Sequence, residues 1–499
     1  MMTLVEMLER NSVEAPGKKA LVYGETSIDY KELNSLVNRF ANGLIKKGVK
    51  KGGRVGMMLP RVPELVITFL GAAKAGAIAA PVNFELPREK ISAILRGLGP
   101  ELLVTSSSLL PHAAGSLPEG SDIELITAGE GAGAAVSWDS FIEGCPDSNP
   151  GLDIRDEDTV YLNYTSGSTG NSKGAITTHS NIYWNTIASI EALGLKREDI
   201  HLCMFAPFAH PHEILARPLF LCGTMVLVDT IYPKSIAEAI SRHRVTCMMG
   251  LAPMYENLLE LTEHRLYDLS SLRIPESGGM YTRTELMNRF VQKMGLSIVP
   301  VWGSTETTGI ALANRPGEFM PPGSVGKPCP YYEVSIFDDD GNEAGVGEVG
   351  EMVFKGPAVV KGYFEANAGG AAFENGWYRS GDLATKDTDG YFYFVERKSG
   401  MMKVAGLKVY PAEIEKVLLD HPDVKEASVI SVKDDLRGEV PKAVITIKPG
   451  RHLSSKDLLK FCRARLAHYK VPRAVEFMDE LPKTSSGKIN KKALQTESL

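Results

Sequence analysis

Residues Tyr161–Gly174 read YLNYTSGSTGNSKG, and this stretch constrains the rest of the chain. A β-prone apolar run, Val160–Leu162, leads into ten residues, Thr165–Gly174, that are only Thr, Ser, Gly, Asn and Lys. Such a stretch has little bulk and many backbone N–H groups free to turn inward. It adds hydroxyls at Thr165, Ser166, Ser168 and Thr169 and one cation, Lys173. Those are the parts needed to wrap a polyphosphate, because glycine lets the backbone approach closely while amides and hydroxyls donate. The pattern is not a Walker A loop, which needs G-x-x-x-x-G-K-[ST]; here Lys173 lies between Ser172 and Gly174. Composition alone favours a solvated Ser/Gly loop, so the rest of the chain must decide.

The chain has 499 residues, more than one core usually takes, so more than one domain is expected. Lys plus Arg is 55 against 61 Asp plus Glu, a net −6, with no basic excess to suggest nucleic acid. The six cysteines are scattered without a C-x-x-C pair. They read as thiols in a reducing compartment rather than a disulfide framework or zinc site. The first twenty residues read as an amphipathic helix rather than a signal peptide. The longest apolar stretch, near Leu65–Val82, is interrupted by Lys74, glycines and Pro81, so no stable membrane insertion is expected. The terminal TESL is no peroxisomal address. A cytoplasmic monomer or homodimer is the expectation.

Tyr30–Lys46 carries Leu33, Leu36, Val37, Phe40 and Leu44 at helical spacing, and Arg54–Leu59 then reads as a buried strand. Helix Pro63–Ala75 and strand Ala79–Val82 continue an alternation that predicts a parallel sheet covered on both faces. Leu102–Thr105, Ile123–Ile126 and Val160–Leu162 extend it. Pro111–Ser148, rich in Gly, Ala, Ser and Pro, reads as loop or a poorly packed edge. A second α/β lobe follows: strands Thr224–Asp229, Thr246–Met249, Leu272–Ser277 and Ser297–Val301, with helices Ile236–His243 and Met254–Leu261. Gly278-Gly279 and Trp302-Gly303 sit just past strand ends, where ligands of such sheets collect. From Gly323 to Phe394 short strands and Gly-rich turns predict an antiparallel, barrel-like part. Beyond Arg397, helix Pro411–Leu419, strands Ala427–Val432 and Lys442–Ile447 and helix Lys456–Ala467 form a compact α+β module. The predicted domains are 1–397 and 398–499. The fold class is α/β: two lobes and a small β-barrel-like part, joined by a hinge to a smaller α+β domain.

Several further strings occur in a fixed order: Pro207-Phe208-Ala209-His210, Gly278-Gly279-Met280, Trp302-Gly303-Ser304-Thr305-Glu306, Tyr378-Arg379-Ser380-Gly381-Asp382 and Pro482-Lys483-Thr484-Ser485-Ser486-Gly487-Lys488. Each alone reads as a turn or a solvated charge. Together with YTSGSTGNSKG they resemble the motif series of the adenylate-forming enzymes, the superfamily of acyl-CoA synthetases, adenylation domains and luciferases, over roughly residues 20–492.

The resemblance implies ATP, Mg²⁺ and coenzyme A as cofactor and co-substrates. Thr165, Ser166, Gly167, Ser168, Thr169, Gly170 and Lys173 would hold phosphates. Gly278, Gly279 and Met280 would pass the adenine and the acyl group, Trp302 would stack on the adenine, Thr305 would bind the α-phosphate, and Gly303 and Ser304 would also meet the nucleotide. Glu306 would carry Mg²⁺, which takes few protein oxygens and bridges to the nucleotide. Asp382 would accept both ribose hydroxyls, with Arg397 and Lys403 nearby. His210, Ala209, Gly278 and Gly303 would shape the acyl pocket; Gly406 and Lys408 would line the coenzyme A tunnel. Lys488 would stabilise charge on the phosphorus during adenylation, in a catalytic set with Thr165, Glu306 and His210. Lys398 and Ser399 would be the hinge, although the family usually has Asp or Lys where Ser399 stands. His212 and Glu213 extend the polar cluster at His210, with a metal site as a rival reading.

The implied reaction has two halves. A carboxylate attacks the α-phosphate of MgATP, giving an acyl-adenylate and pyrophosphate; the thiol of coenzyme A then displaces AMP. Acetate-specific members place Trp where Gly303 stands, so a small-molecule medium-chain, aromatic or alicyclic acid is expected, in either direction of reaction. Arg217 and His212 leave a second polar group on the acid open. The alternatives are an amino-acid or aryl-acid adenylation enzyme loading a carrier protein, and a non-catalytic nucleotide binder. Against the first, Ala209-His210 fills the slot of an amine-binding Asp, and the sequence ends eleven residues after Lys488. Against the second, Lys173, Glu306, Asp382 and Lys488 are all present.

Overall fold

The computed structural model describes residues 1–129, 135–166, 172–204, 206–262, 267–364, 372–434, 436–483 and 489–496. Packing divides the chain into two units, Met1–Val334 with Phe354–Tyr378, and Ser335–Val353 with Arg379–Leu499. Residues 335–353 and 379–397 thus group with the C-terminal residues, upstream of the boundary expected at Arg397.

Two large sheets lie within the described residues of the first unit. The seven-stranded sheet runs Val136–Ser137, Glu124–Ala128, Leu102–Ser106, Arg54–Met58, Ile78–Pro81, Thr159–Ser166, Ser172–Thr178. It is parallel except for the last pair, which forms an antiparallel hairpin. The nine-stranded sheet runs Lys327–Pro328, Gly309–Ala313, Val299–Ser304, Ile274–Ser277, Cys247–Gly250, Ile200–Cys203, Thr224–Leu227, Lys19–Tyr23, Thr26–Asp29. Its centre is parallel, and Lys19–Tyr23 adds in parallel beside Thr224–Leu227, with Leu21 opposite Met225. The α/β alternation read from the sequence is what builds both lobes.

Helix Tyr30–Lys46 forms where its apolar spacing predicts. Asp29 caps it by accepting from Glu32 N, and Leu33, Val37, Phe40, Ala41 and Leu44 are buried. Helix Leu4–Glu14 opens with a capping box between Thr3 and Glu6. Its Asn11 Nδ2 donates to Leu219 O at 2.7 Å, fixing it against the helix Pro211–Leu221 of the second lobe.

Within Pro111–Ser148 the strand expected at Ile123–Ile126 forms as Glu124–Ala128, and the departure from expectation is helix Trp138–Ile142, which packs into the main core. Trp138 stacks on Phe40 with centroids 4.9 Å apart, and Phe141 meets the same ring. Two aromatics on a five-residue helix carry too little periodicity to be seen beside so many Gly and Ala residues.

In the second unit, strands Leu407–Val409, Met402–Val404, Gly438–Ile447 and Val424–Asp434 form a sheet, with Ala474–Phe477 pairing in parallel on Gly438–Ile447. Helices Pro411–Leu419 and Ser455–Arg463 close a core of Ile414, Leu418, Val429, Ala443, Ile445, Leu458 and Cys462. Strand pairing continues upstream, with Asp382–Lys386 antiparallel to Phe392–Arg397. All six cysteines are buried and free. No helix among the described residues is long and apolar enough to cross a membrane.

Candidate active site

The phosphate-loop stretch begins and ends in paired strands. Strand Thr159–Ser166 pairs antiparallel with strand Ser172–Thr178, with Thr165 opposite Lys173 and Ser166 opposite Ser172. Thr165, Ser166, Lys173 and Gly174 therefore belong to paired strands, because the β-prone run continues its ladder past Tyr164. Gly167, Ser168, Thr169 and Gly170 lie outside the described residues, as does Lys488.

Beside this hairpin stands a second one. Strand Val299–Ser304 carries Trp302 and Gly303, and strand Gly309–Ala313 returns antiparallel to it. The connecting turn holds Thr305 and Glu306. Asn163 Nδ2, just before the phosphate loop, donates to Thr305 Oγ1 at 3.5 Å. The turn is over-determined. Thr308 sits at φ 57°, costly for a β-branched residue. It is held there because its Oγ1 donates to Ala358 O at 2.6 Å and its carbonyl accepts from His212 Nε2 at 2.7 Å. Tyr332 OH donates to Thr307 O at 2.6 Å.

Glu306 is buried, and each carboxylate oxygen has a tyrosine. Tyr363 OH donates to Oε1 at 2.7 Å and Tyr378 OH to Oε2 at 3.0 Å. Burial and the carboxylate push both phenols up from their usual range. A carboxylate offers about four lone-pair positions, so one tyrosine per oxygen still leaves room for a cation. A lone carboxylate suits Mg²⁺ carried on a polyphosphate, since that ion keeps few protein ligands. Trp302 stacks face to face on Phe354, centroids 4.4 Å apart and planes 3° apart.

A Cβ placed on Gly303 would lie 2.4 Å from Gly309 O. Glycine is thus required by the approach of the two strands, a constraint the pocket-size reading of Gly303 did not include. At Gly278 a Cβ would meet Met249 Cε at 2.5 Å and Val301 Cγ2 at 3.2 Å. Gly279 has φ 74°, and Thr282 Oγ1 donates to Ser277 Oγ to close the turn through Met280.

His210 caps helix Pro211–Leu221 and, like Ala209, is half-buried. His212 is buried with both ring nitrogens engaged. A carbonyl can only accept, so Nε2 carries the proton toward Thr308 O, and Nδ1 accepts from Tyr161 OH at 2.7 Å. Burial, with His210 beside it, lowers its pKa to about 3. Both nitrogens are spent on structure rather than on a metal. Arg217 is committed only in part: Nη1 lies 3.0 and 2.9 Å from the two oxygens of Glu276, and Nε donates to Ser189 Oγ, while Nη2 is buried with no hydrogen-bond partner among the described residues. Burial pushes Glu213 up to about 7, against the opposing charge of Arg217.

In the second unit, Asp382 is buried and Arg397 is exposed, and Arg397 Nε lies 2.7 Å from Asp382 Oδ1. Ser380 Oγ donates to Met352 O and accepts from Asp382 N, which fixes the Ser-Gly-Asp turn. Glu351 ties Arg379, Lys398 and Gly381 N together. Lys398-Ser399-Gly400 is a single 3₁₀ turn. Lys403 and Lys408 face each other across a hairpin whose tip is Ala405-Gly406, with φ 48° and 83°. Two positive φ angles make a tight hairpin turn, and a Cβ on Gly406 would meet nothing within 4 Å. Lys408 Nζ pairs with Asp339 at 2.6 Å on the surface.

Phe354, Tyr363 and Tyr378 escaped the sequence reading as site residues. Tyr378 stood inside a quoted motif, directly before the Arg-Ser-Gly-Asp string, which was its only signal.

Two family models match the chain: AMP-binding enzyme over residues 8–364, and AMP-binding enzyme C-terminal domain over residues 413–488. A feruloyl-CoA synthase from Amycolatopsis sp is 35% identical over 491 residues, 97% of this chain and 96% of that protein. An indoleacetate–CoA ligase from Aromatoleum aromaticum is 30% identical over 496 residues, 98% of this chain and 97% of its own. The crystal structure of an anthranilate CoA ligase in complex with anthranoyl-AMP matches with TM-score 0.91 and 30% identity, over 99% of this chain and 97% of that one.

Proposed function

The chain belongs to the AMP-binding enzyme family, and from that premise we propose that it is an AMP-forming ligase that joins an aromatic carboxylic acid to coenzyme A. The observation that carries this reading is the meeting of the two hairpins. Lys173, at the foot of the phosphate loop, lies over the ring of Tyr363, and Glu306, in the neighbouring turn, accepts from the hydroxyl of the same residue at 2.7 Å. A cation for phosphate oxygens and a carboxylate for a phosphate-bound Mg²⁺ thus flank one space. The aromatic class is supported by relatives named for ferulate, indoleacetate and anthranilate.

The residues then divide the work. Trp302, backed by Phe354, offers a flat apolar surface for the adenine. Asp382 accepts from the ribose hydroxyls once Arg397 gives way or shares it. Thr165, Ser166 and Lys173, with the loop between them, hold phosphate oxygens. Glu306 would hold the Mg²⁺ carried on the nucleotide, which would supply charge neutralisation to the leaving pyrophosphate. The substrate carboxylate oxygen forms a bond to the α-phosphorus and the bond to pyrophosphate breaks; Lys488 stabilises the oxygens of that phosphorus. The sulfur of coenzyme A then attacks the adenylate carbonyl carbon, and AMP departs with the bonding electrons. Ala209, His210 and Gly278 border the acyl group, and a turn about Lys398-Ser399 exchanges Lys488 for Gly406 between the halves.

The test is incubation with MgATP, coenzyme A and a panel of acids (acetate, hexanoate, benzoate, ferulate, cyclohexanecarboxylate), measuring AMP and thioester together. Equal AMP and thioester with an aromatic acid, and little with acetate, is the expected result. Thioester with acetate alone removes the aromatic assignment. Pyrophosphate without thioester points instead to transfer onto a carrier protein.

A further inference from the structure

A short strap in the first unit, residues 357–364, is bonded to both hairpins of the site. On one side it pairs with the strand leaving the phosphate loop: Phe364 N donates to Gly174 O at 2.7 Å and Ile176 N to Gly362 O at 3.1 Å. On the other it holds the metal-side turn, where Val360 N donates to Glu306 O at 2.9 Å and Thr308 Oγ1 to Ala358 O at 2.6 Å. One side chain on the strap repeats this double contact at the level of charge. The ring of Tyr363 lies under Lys173 Nζ, 5.4 Å from centroid to nitrogen, within the range of a cation–π attraction. The hydroxyl of the same ring donates to Glu306 Oε1.

We propose that Tyr363 is a positioning residue that ties the phosphate-loop lysine to the carboxylate of Glu306, so that nucleotide phosphate and its Mg²⁺ are met by a site already set in register. The inference deepens the ligase reading and rests on it. The chemistry favours orientation over blockage. Tyr363 and Tyr378 take one lone pair on each oxygen and leave another on each. Without them, a single carboxylate on a four-residue turn would rotate freely about its last bonds, and a metal would have to stop that rotation on arrival. The lysine is steadied by a ring face instead of an acid, so its full charge stays available to phosphate. A carboxylate partner would have offset that charge.

The experiment is calorimetric nucleotide binding to the full chain, with MgATP and, separately, with ATP in EDTA. It uses wild type, Tyr363→Phe, Tyr363→Leu and Tyr378→Phe. Tyr363→Phe keeps the ring over Lys173 and removes only the hydroxyl. It is expected to weaken MgATP binding about tenfold, the usual scale for a lost hydrogen bond to a charged group, and to leave ATP in EDTA unchanged within about twofold. Tyr363→Leu also removes the ring face and is expected to weaken both. A cycle of Tyr363→Phe with Glu306→Gln is expected to be non-additive.

Equal losses with and without Mg²⁺ would mean a merely structural tyrosine and overturn the proposal. So would unchanged or tighter MgATP binding. Should Tyr363→Phe fail to fold, Tyr378→Phe makes the same test on the other oxygen, with the same expected and refuting outcomes. Wild-type protein that binds no nucleotide overturns the ligase reading and this inference together, whereas a tightly binding wild type with an indifferent Tyr363→Phe overturns the inference alone.

Discussion

Glu213 makes the sharpest quantitative prediction. It lies on helix Pro211–Leu221 beneath the Glu306 turn, close enough to Gly309 that a Cβ there would meet its Oε1 at 2.6 Å. Burial raises its carboxyl from the ordinary 4.5 to about 7, even with Arg217 opposing. A raised carboxyl pKa means the folded state holds its proton more tightly than the unfolded state does. The stability this contributes is whole below 4.5 and is lost as pH climbs through about 7. The full displacement is worth about 3 kcal/mol. Because the side chain keeps some solvent access, about 2 kcal/mol is the expected size. Glu213→Gln, which keeps the shape and cannot ionise, should therefore match wild type near about pH 5 and exceed it by that amount near about pH 8. The assay is thermal unfolding of both proteins across that range, read as the difference curve. His212 and His201, both lowered to about 3 by burial, also lose stability as pH falls, but they do so in both proteins and cancel. Parallel unfolding curves across the range would refute the enclosed, neutral carboxyl. A variant less stable at about pH 8 would show that ionised Glu213 supports Arg217 instead.

Two further outcomes are expected. Gly303→Ala places a methyl 2.4 Å from Gly309 O, so it should lower the unfolding temperature by an amount corresponding to roughly 1–3 kcal/mol and depress turnover with every acid; a change in acid preference at unchanged stability would restore the pocket-size reading. Lys488→Ala should remove pyrophosphate release while thioester formation from supplied acyl-adenylate persists, and equal loss of both halves would deny Lys488 its separate role in the first.

What the sequence made legible is what is local. Helix Tyr30–Lys46 and the strand ending at Ser277 announce themselves through spacing, whereas Trp302-Gly303, expected just past a strand end at Val301, lies inside strand Val299–Ser304 because the ladder with Gly309–Ala313 carries the strand on. Thr165–Gly174 reads in the sequence as a ten-residue loop, but its first and last residues belong to strands, since ladder pairing of Thr165 with Lys173 is decided by the partner strand. Gly303 illustrates a subtler limit. A glycine after an aromatic reads as spare room, yet the room is filled by the carbonyl of Gly309, six residues on and across a bulge. Tyr363 and Phe354 were invisible for the same reason: their partners, Glu306 and Trp302, are about fifty residues away, and nothing near them in the chain marks the pairing.

The placement of strand Lys19–Tyr23 beside Thr224–Leu227 has a consequence for how the molecule is made. About two hundred residues of chain must be synthesised before this early strand can meet its neighbour, and at ribosomal speeds that is a wait of roughly ten seconds or more. Until then Ala20, Leu21 and Val22, all buried in the finished sheet, are a free edge of apolar strand. The nine-stranded sheet, to which this strand belongs, cannot be completed before then, whereas every strand of the seven-stranded sheet lies between residues 54 and 178. Splitting the gene between the lobes would separate partners that the sheet requires on one polypeptide. Residues 19–23, paired early on one edge by Thr26–Asp29, are thus a place where a nascent chain of this protein is open to misassociation on the other edge, and where a holding chaperone would be of use.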